Sequence, residues 1–167
     1  MFTSYKLKLY QNIATMGYIG YALFPGTIAS LVTLIVAFPW LIFLNSAAMF
    51  LLSIIVFIIG TYACMVLMRY RPYLKDPRDY VIDECVGQLM VMAGVLALYP
   101  GSFTAQCIGF ILFRFFDGFK PWPISIINNW KPSSPFKKAL ALMLDDVLAA
   151  IASIGLIYLY KSWKFIN

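Results

Sequence analysis

"AAMFLLSIIVFIIGTYACMVLM", residues 47–68, carries no charged side chain and no proline. A helix rises about 1.5 Å per residue, so this run is long enough to cross the ~30 Å hydrocarbon core of a bilayer. Further apolar runs lie at about 28–44, 85–99, 102–116 and 139–160. The runs at 85–99 and 102–116 are shorter, fitting either tilted spans or a helical pair that enters the membrane only partway. Residues 139–160 are interrupted by Asp145 and Asp146.

Composition agrees. The 167 residues are 62% hydrophobic and 12% charged, half the roughly 25% charge of soluble domains. No Ser/Gly-rich linker, low-complexity tract or evident repeat divides the chain, so residues 1–167 read as one domain. The opening "MFTSYKLKLYQNIATMGYIGYA" is broken by Gln11, Asn12 and Thr15 and lacks a clear cleavage pattern, unlike a signal peptide. It reads as an amphipathic helix on the membrane face, with Lys6 and Lys8 toward the headgroups; an ordinary helix packed on the bundle is the alternative. The expected fold is therefore all-α, a compact helical membrane protein. It has four to five apolar helices and an N-terminal amphipathic helix.

Loop charge sets the expected sidedness. Pro39-Trp40 with Asn45-Ser46, and Tyr99-Pro100-Gly101-Ser102, are uncharged tight connections. Residues 69–78 hold Arg69, Arg71, Lys75 and Arg78, and residues 114–138 hold Arg114, Lys120, Lys131, Lys137 and Lys138. The positive-inside rule puts both basic loops and the N-terminus in the cytoplasm. Lys161 and Lys164 then fall outside, a small excess against the rule.

The chain has no histidine, which removes the commonest general base and metal ligand. Cys64, Cys85 and Cys107 lack CxxC spacing and read as inert thiols in apolar surroundings. The seven acids are Asp76, Asp79, Asp83, Glu84, Asp117, Asp145 and Asp146. In this topology all lie near the cytoplasmic ends of the apolar segments. An intramembrane carboxylate costs about 2.5–3.5 kcal/mol, and adjacent ones repel. Asp145 and Asp146 are either ion-pair partners that fix helix packing or members of a site. Three carboxylate clusters meeting at one level, without histidine or thiolate, suit a hard divalent cation, Mg²⁺ above all. Asp79 and Asp83, four apart, are expected on one helix face, with Asp79 capping the following helix. Asp76 before Pro77 reads as a turn.

"FRFFDGFKPWP", residues 113–123, spaces Arg114, Asp117 and Lys120 three apart. Pro121 and Pro123 end the helix, leaving Asp117 at its end between two cations. That set suits a phosphate-bearing substrate; the alternative is a snorkelling group with Trp122 at the headgroups. "FPGTIASL", residues 24–31, places Gly26, Thr27 and Ser30 at a helix start, where amides and hydroxyls hold phosphate or cap the helix. No C-x5-R loop or Asp-x-Asp motif occurs, and the single aspartate of "RFFDGFK" falls short of a CDP-alcohol transferase array. Metal-assisted phosphoryl transfer to water remains.

"PGTIASL" (25–31), "DPRDYVIDECVG" (76–87), "FRFFDGFKPWPI" (113–124) and "MLDDVLAA" (143–150) occur in one order. In these motifs and their spacing, over nearly its whole length, the chain resembles the phosphatidylglycerophosphatase A family. The resemblance implies a Mg²⁺-dependent phosphoric monoester hydrolase of the bacterial inner membrane, with its active site toward the cytoplasm. It would convert phosphatidylglycerophosphate to phosphatidylglycerol and phosphate in phospholipid biosynthesis. The site residues implied are Thr27, Asp83, Glu84, Arg114, Asp117, Lys120, Asp145 and Asp146. Ala29, Ala141 and Ala150 stand where the family usually has glycine, and Ala22 where it has proline.

The resulting expectation has Asp83, Glu84, Asp117, Asp145 and Asp146 as the catalytic, metal-holding carboxylates. Gly26, Thr27, Ser30, Arg114 and Lys120 bind the substrate phosphate. Water or a carboxylate is the nucleophile. The partners are the lipid substrate and the membrane, with no nucleic acid. Two rivals belong to other classes: a transporter, which would spread its acids through the membrane depth, and a non-catalytic membrane protein using the acidic cluster for ion binding.

Overall fold

The structure, a computed structural model, describes residues 4–70, 78–130 and 132–166. Most of them lie in seven α-helices: α1 Ser4–Ala14, α2 Pro25–Ala37, α3 Ser46–Tyr70, α4 Ile82–Leu98, α5 Phe103–Phe119, α6 Ile124–Asn128 and α7 Pro135–Ile166. Two 3-10 turns, Ile19–Tyr21 and Phe38–Ile42, flank α2. No strand occurs among the described residues, and the all-α expectation holds. Lys75, Asp76, Arg71 and Lys131 lie outside the described residues.

Three helical stretches are long and apolar enough to cross a membrane: Pro25–Ile42, Ser46–Tyr70 and Pro135–Phe165. α3 contains the uncharged run 47–68 and ends on Arg69 and Tyr70, and Asn45 Oδ1 caps its start by accepting from the Ala48 N–H at 2.8 Å. Its Ile54, Ile55, Ile58 and Ile59 are exposed, as are Ile35 and Val36 of α2 and Leu159 of α7. So large an apolar surface is untenable in water and ordinary against lipid tails. α4 and α5 have 17 residues each, about 25 Å at the helical rise, which is short of the full hydrocarbon thickness.

α4 owes its place to an apolar composition on all faces, the pattern of a helix enclosed by others. Val86, Leu89, Val91, Met92, Ala93, Val95 and Leu96 are all buried. The helix packs against α2, α3, α5 and α7, while α1 lies on α3 and α6 on α7. One cluster, with Leu34, Met49, Leu89 and Met92, joins α2, α3 and α4. A second, with Val91, Val95, Phe113 and Ala150, joins α4, α5 and α7. Gly87 makes the second one possible. A Cβ there would overlap the fully buried Phe113 ring and lie 3.2 Å from the Asp146 carbonyl oxygen.

α1 packs on the bundle against α3 and turns its lysines outward. Lys6 and Lys8 are exposed, while Ala14 is buried and the Tyr10 ring meets Tyr62 of α3 edge-on at 5.7 Å. The tight connections are as expected: Gly101 has φ +70°, and Ser102 caps α5 by accepting from the Ala105 N–H at 3.2 Å. Ala29, Ala141 and Ala150 are buried in helix packing, which accommodates their methyl groups. All three cysteines are free; Cys64 is buried and the other two are partly so.

One expectation fails. α4 begins at Ile82 with Val81 as its N-cap and no side-chain cap bond. Asp79 therefore neither caps α4 nor shares a helical face with Asp83. It is exposed in the preceding turn, whose backbone bonds to the end of α1 instead, Val81 N–H donating to Ala14 O at 2.8 Å.

Gly87→Ala should test the close packing. Overpacking a rigid core costs roughly 1–3 kcal/mol, and unfolding in detergent should report a loss in that range. Gly118→Ala, which adds a methyl group where nothing lies within 4 Å, should show no such loss.

Candidate active site

Three helices bring the acids to one end of the bundle. The first turn of α4 carries Asp83 and Glu84, where the positive end of the helix dipole favours acids. Asp83 is buried, and its Oδ1 accepts from the Glu84 N–H at 3.1 Å. Glu84 faces α2. A Cβ on Gly26 would overlap Glu84 Oε1 and fall 3.1 Å from Arg114 Nη2. Glycine thus lets the first turn of α2 sit against an acid and a base together.

α5 supplies Asp117 in its last turn, as the proline spacing predicts. Asp117 Oδ2 is 3.0 Å from Arg114 Nη2, and its Oδ1 is 3.6 Å from Lys120 Nζ. Lys120 caps the helix with φ 47° and ψ 57°. This left-handed conformation costs a residue with a Cβ about 1–2 kcal/mol, and such strain persists where the surroundings enforce it. From there Lys120 reaches α7 and forms an ion pair with Asp145. Asp145 and Asp146 are both buried.

The carboxylates fall into two groups. Asp83, Glu84 and Asp146 each offer an oxygen within 4.8 Å of the others, and so do Asp117, Asp145 and Asp146. Asp146 belongs to both. Among the described residues, Glu84 Oε2, Asp145 Oδ1 and Asp146 Oδ2 are buried without a hydrogen-bond partner. Buried acceptors are ordinarily satisfied, and these three oxygens are the ones that could ligate a cation. Burial would pull the pKa of Lys120 down, but its hydrogen bond to Asp145 and the nearby charges of Asp117, Asp145 and Asp146 outweigh it. The net position is above the usual lysine value.

The phosphate-binding candidates divide. Arg114 and Lys120 flank Asp117, whereas Ser30 is fully buried and braces Arg114. Its hydroxyl accepts from Arg114 Nη1 at 3.2 Å and donates to Gly26 O at 2.9 Å. Thr27 is exposed in the first turn of α2, where the Gly26 and Thr27 amides precede the first intrahelical bonds. One residue was not legible beforehand. Gln88, one turn along α4 from Glu84, is fully buried with neither amide atom hydrogen-bonded. Its only signal was an amide within an apolar helix.

A sequence model of phosphatidylglycerophosphatase A matches residues 12–161. The chain belongs to the phosphatidylglycerophosphatase A family. It is 30% identical over 139 residues to phosphatidylglycerophosphatase A of Haemophilus influenzae, covering 83% of this chain and 80% of that protein. It is 28% identical over 137 residues to phosphatidylglycerophosphatase A of Escherichia coli strain K12, covering 80% of this chain and 72% of that protein. No solved structure matches it. The family match spans all four of the motif-bearing stretches quoted above.

The contribution of Lys120 to this family member's stability has a defined pH dependence. A pKa raised on folding means stability present below the unfolded value and lost as pH rises through the folded one. The melting difference between wild type and Lys120→Met should therefore hold steady from about pH 7 to 10 and shrink above the usual lysine pKa of ~10.4. Melting curves in detergent across that range check it.

Proposed function

We propose that this protein is a Mg²⁺-dependent phosphatidylglycerophosphate phosphatase, a phosphoric monoester hydrolase of phospholipid biosynthesis. One observation carries the reading: two carboxylate triads share Asp146, with three unpartnered buried oxygens, beside Arg114 and Lys120. The donors are all carboxylate oxygens, the set a hard cation such as Mg²⁺ takes. Asp83, Glu84, Asp117, Asp145 and Asp146 would hold one ion or two. Bound there, Mg²⁺ supplies charge neutralisation at the phosphoryl oxygens and a more acidic water.

The chain's own groups do the rest. Arg114, fixed by Ser30 and Asp117, presents a planar fork to the terminal phosphate. Lys120 adds a point charge from the other side of Asp117, and the Gly26 and Thr27 amides add donors at the start of α2. Transfer to water forms a P–O bond to the water oxygen and breaks the bond to the glycerol oxygen, which leaves with a proton. The products are phosphatidylglycerol and phosphate; passage through an aspartyl-phosphate gives the same two. A transporter would need acids along the membrane depth, whereas these gather at one end.

Phosphate release from purified protein should require Mg²⁺ and stop in excess EDTA; undiminished release with chelator present would sink the metal. Asp145→Asn and Asp146→Asn should each reduce turnover by at least about a hundredfold, the scale of losing charge stabilisation in a transition state. Both variants should stay folded, and without metal they should melt at or above the wild-type temperature, because a repelling charge is gone. Normal turnover with lowered melting in both would instead make the pair structural.

The positive charge of the basic loops supports a cytoplasmic position for this end of the bundle, with the substrate met in the cytoplasmic leaflet of the bacterial inner membrane. Arg78 is exposed beside α4. In Arg78→Cys, a membrane-impermeant thiol reagent should add label only after the inner face is opened. Label added to intact spheroplasts would reverse the topology.

A further inference from the structure

Gln88 lies in α4 with 0% of its surface exposed, and neither its Nε2 nor its Oε1 has a hydrogen-bond partner. The amide offers two donors and a two-lone-pair acceptor, and burying such a group unsatisfied is destabilising. The other buried glutamine of the bundle sets the contrast. Gln106 of α5 donates from Nε2 to the Met92 carbonyl at 3.2 Å, which ties α5 to α4 and leaves only its Oε1 unpartnered. Helix packing thus accounts for Gln106 and not for Gln88.

We infer that Gln88 is a positioning residue for Glu84, an inference that rests on the Mg²⁺ reading above. Its amide N–H donates to Glu84 Oε2 and holds that carboxylate in place as a cation ligand. Gln88 follows Glu84 by four residues, so the two share one face of α4 with their Cβ atoms about 5–6 Å apart. A helical side chain leans toward the helix N-terminus, over the turn before it. For Gln88 that turn carries Glu84. The free groups match: Glu84 Oε2 is a buried acceptor without a donor, and Gln88 Nε2 a buried donor without an acceptor. They do not bond as they stand; the bond forms as Glu84 takes up its ligand position. No neighbour fills the role. Asp83 and Asp146, grouped with Glu84, only accept when ionised, and Arg114 is engaged by Ser30 and Asp117. A ligating carboxylate is ordinarily held by an outer donor of this kind.

Gln88→Met fills the same space without the amide. In the full chain purified in detergent, Mn²⁺ affinity, read from the EPR signal of the free ion, should fall about 10–100-fold, the usual loss on removing a ligand's outer partner. The Mg²⁺ concentration for half-maximal phosphate release should rise by the same factor, with KM for the lipid unchanged at saturating Mg²⁺. Without metal, Gln88→Met should melt at or above the wild-type temperature, because an unsatisfied buried amide is gone. Gln88→Asn keeps the amide but withdraws it by one methylene, and should weaken Mn²⁺ binding in the same direction. Gln106→Met, eleven residues along α5 from Asp117, should bind Mn²⁺ as the wild type does. Wild-type Mn²⁺ affinity in either folded Gln88 variant overturns the inference. So does an equal loss in Gln106→Met, or lowered melting of metal-free Gln88→Met, since each makes the amide a matter of packing. A wild type that binds no Mn²⁺ would overturn the metal reading itself, and this inference with it.

Discussion

Five carboxylates stand against two cations at one end of this bundle, and that imbalance governs the arrangement around it. Asp117, Asp145 and Asp146 bring oxygens within 4.8 Å of one another, and Asp83 and Glu84 do the same with Asp146. Like charges so close repel strongly in a medium of low dielectric. Arg114 and Lys120 offset part of the repulsion by pairing with Asp117 and Asp145. The remaining excess is the physical argument for a divalent ion.

Holding such a cluster together falls to apolar packing beneath it. α4 is clamped by α2, α3, α5 and α7, and the absent side chain of Gly87 lets the Phe113 ring and the Asp146 backbone close in. α5 and α7 are thereby drawn in directly below their own acids. At the rim, Gly26 does the equivalent for α2, seating its first turn against Glu84 and Arg114. Ser30 then fixes the guanidinium. A rigid frame of this kind lets the acids keep their spacing against mutual repulsion.

Much of this was legible in the sequence because it depends on local pattern. The apolar runs gave the helices, and Pro121 with Pro123 stopped α5 just after Asp117. Asp145 and Asp146 stood out as the only acids inside an apolar run. What was not legible depends on contacts distant in sequence. Asp79 at four residues from Asp83 looked like a helical neighbour, but the pairing of Val81 with Ala14 starts the helix later. Ser30 looked like a phosphate ligand, yet it faces Arg114 from α5, eighty-four positions away. The burial of Gln88 and the left-handed backbone of Lys120 depend on tertiary packing and ion pairs, which local pattern does not report.

The enclosure of α4 bears on how the protein is made. A helix of 17 residues with Asp83, Glu84 and Gln88 in its first half is a poor guest for lipid on its own. Its shelter comes from α2 and α3, which emerge before it, and from α5 and α7, which emerge after. α7 is both the last wall around α4 and the source of two of the five acids. One helix, α7, thus ties the burial of α4 to the assembly of the carboxylate cluster.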